Sequence, residues 1–434
     1  VSILAMVQII GLSVNFAGGV LVYPLSDPDG QFAFKMTDIG ISYGMFYLAG
    51  AAMAPVAGWL GDRFGARRLM IAGAGIYALT IFAVAVMDSP WQLYLSFGVL
   101  RGAVQAIFLV PLMAVVAGWF RRRLGLGSGL LWAATGVGPG IMSPMLGYML
   151  TNIGWGWTFF LTGTVSSVIL LALVPLFRNR PIDMGLEAYG SRKDDPVEKA
   201  LPAKLEQLRI KIFNRHIRKT KAFYNLPSIH FLGCLGHAIP LLFIVAICVE
   251  RGMDLATASW TLGIISIVSI PSRIITPVLA ERFGPKQVMV ASLAIQGLTC
   301  IHLFWAEAAW EFFLFSALFG IGYGGEWTGY IVINRQYYGT GSLSTVYGWQ
   351  ITGAMLGHAF ASFMAGVLVD LTNSYNPVIA MSVIGSFLGV VVILLLEPTS
   401  KRLISDDWED DLPEEARSQY KSPQIRPIAK KMNS

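Results

Sequence analysis

Charged residues are scarce in this sequence, and the apolar ones are correspondingly abundant. Only 13% of the 434 residues are Asp, Glu, Lys or Arg, whereas 55% are hydrophobic. One soluble core cannot bury that much apolar surface. The composition therefore excludes an ordinary soluble domain and predicts a protein that is solvated by a lipid bilayer.

Several functional signatures are also missing. The three cysteines, Cys234, Cys248 and Cys300, have no CxxC spacing, so they predict neither a disulfide framework nor a metal site. The net charge of +6 comes from basic residues spread over loop ends, which argues against nucleic-acid binding. The motifs GxxxxGK[ST] and HExxH are absent, and the one GxSxG match, Gly40 to Gly44, lies inside a predicted membrane span and not on a strand-to-helix turn. We therefore predict no enzyme activity, no catalytic residue, no cofactor and no ATP-driven transport.

Apolar stretches long enough to cross a bilayer recur along the chain, since a spanning helix needs about 20 apolar residues. The spacing predicts twelve of them, at 3–25, 38–60, 69–87, 91–118, 125–150, 157–177, 226–249, 257–280, 288–305, 309–333, 343–369 and 376–396. We expect the first to be a retained membrane helix, because it is longer than a signal-peptide core and lacks a basic leader. The prediction is an all-α membrane protein of two pseudo-symmetric six-helix bundles.

The predicted organisation has four parts. They are an N-terminal bundle (1–177), a cytoplasmic linker (178–225), a C-terminal bundle (226–397) and a disordered cytoplasmic tail (398–434). The linker stretch 201–221 is either a basic amphipathic helix on the anionic leaflet or a solvated segment. Basic residues concentrate in alternate loops, which predicts that both termini lie in the cytoplasm.

One half of the chain repeats the other. The stretch from Gly58 to Arg68 and the stretch from Pro277 to Gln287 share an acid-Arg-Phe-Gly pattern at an offset of 219 residues. Each predicts a tight turn between two membrane helices, in which a glycine permits the bend. We predict that the turn residues stabilise one closed arrangement of the halves and so control gating; they are Gly58, Asp62, Arg63, Gly65, Arg67, Glu281, Arg282 and Gly284.

Two arginines are predicted to lie inside the bilayer, where an unpaired charge is costly. Arg273 precedes the second turn by eight residues, which puts it roughly 12 Å into the membrane. Arg101 lies about ten residues into the fourth span. Because the planar guanidinium suits a carboxylate, Arg273 is the leading substrate anchor, and its alternative is an ion pair with Glu326. Arg101 is either a second substrate contact or a bond to neighbouring helices.

Other polar side chains complete the predicted membrane site. Glu326, His358 and His237 are the candidates for carrying a proton, and the alternatives are permanent pairing or simple packing. Asn15 and Tyr323 are predicted to contribute to the substrate cavity. The 219-residue offset maps Arg273, Arg101, Glu326 and His358 onto uncharged residues, so each is an asymmetric addition to a symmetric frame.

The two turns resemble the loop signature of the major facilitator superfamily, and this resemblance covers all twelve spans. Four further stretches, 119–129, 154–160, 180–186 and 320–325, are similar to the bacterial branch of monocarboxylate transporters and oxalate/formate antiporters. In that family an arginine of the eighth helix binds the carboxylate, and Arg273 matches it by position. Ser269 and Leu25 stand where proton-linked animal members carry an aspartate and a lysine, so the proton mechanism does not transfer residue by residue.

The resemblance implies a secondary transporter of the bacterial inner membrane that moves a small organic anion by alternating access. His358 is the nearest match to a second cation of the oxalate carrier, so the resemblance favours a monocarboxylate over a dicarboxylate. We expect proton-coupled symport by a monomer. The alternatives are an organic anion antiporter, an exporter of amphiphilic compounds and a non-transporting membrane receptor.

Overall fold

The computed structural model describes residues 2–120, 124–176, 178, 181–187, 189–190, 202–339, 344–399, 401–404 and 406–417. These residues form fourteen α-helices and no named β-strand. In chain order the helices are α1 (Ser2–Phe16), α2 (Val22–Ser26), α3 (Met36–Phe64), α4 (Ala66–Ala85), α5 (Pro90–Leu93), α6 (Arg101–Trp119), α7 (Leu124–Leu173), α8 (Ala203–Ile217), α9 (Lys221–Glu250), α10 (Leu255–Phe283), α11 (Pro285–His302), α12 (Ala309–Tyr338), α13 (Ser344–Thr372) and α14 (Asn376–Leu394).

Several helices combine or divide to give the predicted spans. The first span consists of α1, a 3-10 turn (Gly18–Leu21) and α2, and the fourth consists of α5, a π-helix (Tyr94–Leu100) and α6. Helix α7 contains two spans, which separate at Gly154, where the backbone adopts φ 74° and ψ 176°. Among the described residues, eight helical segments are long and apolar enough to cross a membrane. The predicted all-α membrane fold is confirmed.

The two repeated turns adopt the same backbone geometry. Gly65 has φ 83° and ψ 139°, and Gly284 has φ 98° and ψ 134°. Each glycine N–H donates to a carbonyl four residues earlier, at 2.9 Å from Gly61 O and 3.0 Å from Ala280 O. A positive φ is costly for any residue with a Cβ, so the turn requires glycine in both halves. The bend that the repeat predicts is therefore present twice.

Glycines also repeat the packing between helices. Gly102 of α6 lies against the Phe46 carbonyl of α3, and a methyl group there would overlap that oxygen. In the second half, a methyl group on Gly320 of α12 would lie 2.8 Å from the Ile265 carbonyl of α10. Phe46 and Ile265 are 219 residues apart, whereas Gly102 and Gly320 are 218 residues apart, so the contact recurs with the glycine one residue out of the repeat register. The absence of side chains lets the two backbones approach closely in each bundle.

The halves meet along α3 with α13 and along α7 with α10. Near the start of α3, Gly40 lies against the Ser362 carbonyl and Gly366 against the Met36 carbonyl. At the same end of the molecule, Gly147 of α7 lies against Ser259 of α10. This end is opposite to the repeated turns, because α3 and α10 each begin here and end at a turn. In this structure the halves are in close contact at the end away from the turns.

A cap of linker and tail residues covers one end of the second bundle. Trp408 is buried between the Phe213 ring, at 4.8 Å between centroids, and the Arg209 guanidinium, whose carbon lies 5.4 Å from the indole centroid. Arg209 also pairs with Glu409 at 2.6 Å. The apolar face of α8 thus packs on protein, not on lipid. Tail residues 406–417, for which we predict disorder, contribute to this cap, whereas 418–434 lie outside the described residues.

The cap joins the apolar core of the second bundle. Ile217 of α8 and Ala416 of the tail are fully buried in one cluster with residues from α9, α11, α12, α13 and α14. Part of the predicted linker is therefore attached to the second bundle. The four-part division of the chain, with its boundaries at 177, 225 and 397, stays a prediction.

Candidate functional site

Arg273 lies at the contact between the two halves. Helix α10 carries it, and only 3% of its surface is exposed. Its Nη1 donates to Thr135 Oγ1 of α7 at 3.0 Å, and its Nε lies 3.3 Å from Ser269 Oγ, one turn earlier on the same helix. The guanidinium carbon lies 5.0 Å from the centroid of the Tyr323 ring. The arginine therefore bridges the halves through the Thr135 hydroxyl, and its guanidinium lies against an aromatic ring of its own half.

No carboxylate neutralises Arg273 within the part of the chain that the structure describes. The ion pairs there join Arg209, His216, His237, His302 and Arg417 to acidic partners, and Arg273 is not among them. The sequence left open a pair with Glu326, which instead contacts His237. A buried guanidinium with only neutral partners is a costly arrangement that an incoming anion would relieve.

Glu326 of α12 is fully buried beside His237 of α9. Its Oε2 lies 2.8 Å from His237 Nδ1, and both side chains have no exposed surface. The carboxylate occupies space next to Gly233, where any side chain would overlap it. The structure thus brings two of the predicted proton-coupling residues together. Their role in proton movement stays a prediction.

His358 of α13 completes the predicted set. Its ring lies 4.9 Å from the His237 ring and 4.4 Å from the ring of Tyr47 on α3, measured between centroids. Its Nδ1 lies 3.0 Å from the Ala354 carbonyl. A carbonyl can only accept, so Nδ1 carries the hydrogen and Nε2 keeps its lone pair. The residue also joins the halves, because Tyr47 belongs to the first bundle.

Sequence reasoning missed several residues of this site. Thr135 and Tyr47 come from the first half, and no local motif marks either of them. Trp132 and Trp327 form a further pair across the halves, with ring centroids 5.4 Å apart. Cys234 has no CxxC partner, yet its spacing from His230 and His237 puts the three on one face of a helix, and the structure places it within 4.8 Å of ligand atoms of both His237 and His358. The spacing within one segment shows only part of this group, because His358 comes from another helix.

The remaining predicted membrane residues fall into three positions. Tyr323 lies between Arg273 and His237, with its ring centroid 5.0 Å from that of His237. Arg101 is buried inside the first bundle, and its guanidinium carbon lies 4.8 Å from the Tyr77 ring centroid. Its contact with substrate stays a prediction. Asn15 belongs to α1, and its side chain lies outside the described residues.

Of the acid-Arg pairs at the two turns, the structure describes the side chains of the second pair. Glu281 and Arg282 are exposed, and Arg282 lies over the Phe283 ring. Lys286 Nζ donates to the carbonyls of Leu394 and Leu396 at 2.9 and 2.8 Å, so it caps the end of α14. The side chains of Asp62 and Arg63 lie outside the described residues. The gating role of these residues stays a prediction.

A sequence profile described as the Major Facilitator Superfamily matches residues 7–279 and, a second time, 226–428. The chain belongs to this superfamily. Its members are transporters, not enzymes, so the expected lack of enzyme activity follows from the family. The superfamily fold consists of two six-helix halves, in agreement with the repeated turns and glycine contacts.

Individual relatives extend the comparison. The MFS-type transporter pynF of Aspergillus niger is 29% identical over 273 residues, which cover 62% of this chain and 58% of that protein. MFS transporter asaE of Aspergillus flavus is 24% identical over 276 residues, with 63% and 58% covered. Human monocarboxylate transporter 2 is 25% identical over 342 residues, with 75% and 70% covered. The chain thus spans less than two thirds of the two fungal relatives.

These relatives bear on location as well. They support an integral, multi-pass membrane protein that handles a small molecule. They are fungal and mammalian, so the expected bacterial inner membrane has no support from them.

Proposed function

We propose that this protein is a secondary active transporter of a small organic anion, and that the anion is a monocarboxylate. The observation that carries the proposal is Arg273, which is buried between the halves without an ion pair to any acidic residue that the structure describes. A carboxylate would accept two parallel hydrogen bonds from N–H groups of the planar Arg273 guanidinium. A single hydroxyl oxygen such as that of Thr135 cannot accept both in this geometry. The similarity to monocarboxylate transporter 2 supports the same substrate class.

Arg273 is a single permanent positive charge, so it favours a substrate with one carboxylate over one with two. The other basic groups near Arg273 are the imidazoles of His237 and His358, and His237 already contacts Glu326. A second carboxylate of a dicarboxylate would meet this acidic group and the aromatic rings of Tyr323 and Trp327. The surroundings therefore suit a single negative charge attached to a small apolar body.

Transport requires the bridge between the halves to break and re-form. The Arg273–Thr135 bond joins α10 to α7, so it restrains any rocking of one bundle against the other. A substrate carboxylate that takes over the Arg273 donors would release Thr135. Substrate binding and domain movement would then be coupled through one hydrogen bond, as alternating access requires.

A proton is the coupling ion that we propose. A monocarboxylate anion that crosses alone works against a negative-inside potential, at about 2.3 kcal/mol per charge per 100 mV. Movement of one proton with it makes the cycle electroneutral and removes that cost. We propose a proton without assigning it to one of the three candidates predicted from sequence, Glu326, His358 and His237.

We also propose that the repeated turns face the cytoplasm, together with both termini. The basic residues at the turns, such as Arg68, Arg282 and Lys286, follow the positive-inside rule. Glu281 and Arg282 are exposed in this structure, whose halves are in contact at the opposite end. They would bind the other half only when the cytoplasmic end closes.

The test is uptake into proteoliposomes that contain the full chain, driven by a pH gradient. A labelled panel of lactate, pyruvate, formate and oxalate is compared for wild type, Arg273→Ala, Arg273→Lys and Arg251→Ala. Arg251 is the matched control, because it lies at the end of α9 in the same bundle and contacts only the Ala306 carbonyl in the contacts given for it. Uptake of a monocarboxylate should fall more than about 100-fold in Arg273→Ala.

The variants separate the alternatives. Arg273→Lys keeps the charge but loses the fork, so it should retain a small part of the uptake. Arg251→Ala should transport as wild type does. Equal uptake by wild type and Arg273→Ala would contradict the anchor, and transport of amphiphilic compounds alone would favour an exporter. Uptake that needs a trans acid instead of a pH gradient would identify an antiporter, and binding without uptake a receptor.

A further inference from the structure

Three potential metal ligands share one face of α9. His230, Cys234 and His237 are spaced by four and three residues, so their side chains follow one another along the same side of the helix. All three are buried, with no more than 3% of their surface exposed. This face looks toward α12 and α13, which contribute Glu326 and His358. The result is a cluster of Cys, His and Glu side chains inside the second bundle.

The ligand atoms are close enough for one ion. Cys234, His237 and His358 each offer one atom, and the three atoms lie within 4.8 Å of one another. A tetrahedral Zn²⁺ site, with Zn–N near 2.0–2.1 Å and Zn–S near 2.3 Å, requires ligand separations of roughly 3.3–3.6 Å. Side-chain movements on the order of 1 Å would suffice to bring the three atoms to these separations.

One of the two histidines already has the outer partner that a metal ligand uses. A ligating histidine generally donates its other ring N–H to a carboxylate or a backbone carbonyl. Here His358 Nδ1 lies 3.0 Å from the Ala354 carbonyl, which leaves its Nε2 with a lone pair for an ion. His237 Nδ1 lies 2.8 Å from the Glu326 carboxylate, but neither ring nitrogen of this buried histidine has a hydrogen-bond partner among the described residues. The outer partner of His358 is independent of the clustering itself.

Charge balance selects the class of ion. A divalent cation bound to the Cys234 thiolate, with the Glu326 carboxylate behind His237, makes a group of net charge zero, which suits a buried position. One sulfur and two imidazoles are a ligand set for Zn²⁺ and other borderline transition metals, whereas Mg²⁺ and Ca²⁺ prefer oxygen. We propose that Cys234, His237 and His358 bind one Zn²⁺-class ion, with the Ala354 carbonyl orienting His358 and the Glu326 carboxylate supplying a negative charge beside His237.

The proposed site differs from the carboxylate site. The contacts given for Arg273 are with Thr135, Ser269 and Tyr323, and none of them is a metal ligand. A second group of three, His230, Cys234 and Glu326, also lies within 4.8 Å and shares the same sulfur. We assign the ion to the first group because it contains His358, whose Nδ1 has the outer partner described above, whereas neither ring nitrogen of His230 has a hydrogen-bond partner among the described residues.

The experiment measures Zn²⁺ bound to the purified full-length protein in detergent, under reducing conditions. The protein is stripped with a chelator, titrated with Zn²⁺ against a chromophoric competitor, and analysed for metal content after dialysis. Wild type should retain one Zn²⁺ per chain. Substitution with Co²⁺ should give a near-ultraviolet absorption band from charge transfer between the thiolate and the metal.

Variants locate the site. Cys234→Ala should lower the Zn²⁺ affinity more than about 100-fold and abolish the Co²⁺–thiolate band, and Glu326→Gln should weaken binding about 10–100-fold. Cys300→Ala is the matched control, because Cys300 is also a fully buried thiol of the second bundle and belongs to neither group. It should bind Zn²⁺ as wild type does. If Cys234→Ala does not fold, His358→Gln provides the same test.

Two results would overturn the proposal. One is wild-type protein that retains no Zn²⁺ and gives no Co²⁺–thiolate band. The other is an equal loss of binding in Cys234→Ala and Cys300→Ala. Arg273→Ala should keep full Zn²⁺ binding while it loses uptake, so failure of the metal site and failure of the carboxylate site are separable.

Discussion

The two halves of this protein share one frame but differ in what they bury. The frame repeats in the turns at Gly65 and Gly284 and in the glycine contacts of Gly102 and Gly320. The buried titratable residues do not repeat. Among the described residues the first half buries Arg101, whereas the second buries Arg273, Glu326 and three histidines. We propose that the ligand site is built mainly from the second copy of the repeated scaffold.

We interpret this difference as a division between residues that pack the helices and residues that we propose to bind the ligand. A position that packs two helices must be filled alike in both bundles, because both have the same shape. A position that binds substrate needs no counterpart, since one substrate occupies one site between the halves. The first half instead supplies neutral groups, Thr135 and Tyr47, to residues of the second half.

The cap of α8 and the tail is the largest structural difference between the halves that the structure describes. Trp408 anchors it, so Trp408→Ala should destabilise the second bundle by about 3–5 kcal/mol. The measurement is thermal unfolding in detergent, combined with limited proteolysis of residues 406–417. Trp305→Ala is the control, because the Trp305 side chain is 59% exposed. Equal unfolding temperatures for the two variants would contradict the anchoring role.

The repeated glycines test the shared frame directly. Gly102→Ala and Gly320→Ala each place a methyl group against a carbonyl of the neighbouring helix, so each should cost about 1–3 kcal/mol. Gly348→Ala is the control, because a methyl group at Gly348 meets no atom within 4 Å and alanine favours a helix. Fluorescence-detected thermal unfolding measures all three. A large drop in unfolding temperature for only one of Gly102→Ala and Gly320→Ala would contradict the view that the two bundles pack in the same way.

The first turns of α3 and α10 are capped differently. Asp254 caps its own helix α10, as its Oδ1 accepts from Thr257 N at 2.9 Å. The corresponding end of α3 is capped from the other half, where Asp370 accepts from Met36 N at 3.0 Å and from Thr37 N at 2.7 Å. Asp370 therefore stabilises the contact between the halves as well as the helix.

Removal of these caps should have different consequences. Asp370→Ala should cost about 0.5–2 kcal/mol and shift the population toward states in which this end is open. Pulsed EPR between spin labels on Asp29→Cys and Leu371→Cys should then show longer distances. Asp254→Ala should leave the distance unchanged, because that cap stays within one half. An unchanged distance in Asp370→Ala would show that the cap does not hold the halves together.

The cap of α10 also predicts a small pH effect. Hydrogen bonds from Thr257 lower the pKa of Asp254, and this residue lies just outside the helix. A lowered pKa in the folded state means that the carboxylate stabilises the fold above the ordinary pKa of aspartate, about 3.9, and less as the pH falls through the folded value. Unfolding temperatures between pH 6 and pH 3 should therefore fall less in Asp254→Asn than in wild type. Parallel curves would contradict this.

The sequence predicts the repeated helical scaffold well. Its signals are the lengths of the apolar spans, the glycines at the turns and a constant repeat offset, and all of these are local or periodic. It also identifies Arg273 and Glu326, since ionisable residues within an apolar stretch are conspicuous. It does not predict that Glu326 contacts His237 and not Arg273, which depends on how α9, α10 and α12 pack. Thr135 and Tyr47 are ordinary residues in membrane helices, and only the folded structure shows their neighbours. The spacing of Cys234 from His230 and His237 is visible in the sequence, but its contact with His358 depends on how α9 and α13 pack.

The most direct test of the account is whether Arg273 recognises a carboxylate. The acid that wild type transports best and its neutral amide, such as lactate and lactamide, are compared as ligands of wild type and Arg273→Ala. We expect wild type to bind the acid more than about 10-fold more tightly than the amide, and Arg273→Ala to bind the two alike. If Arg273→Ala still prefers the acid by the same factor, another residue binds the carboxylate and the account is wrong.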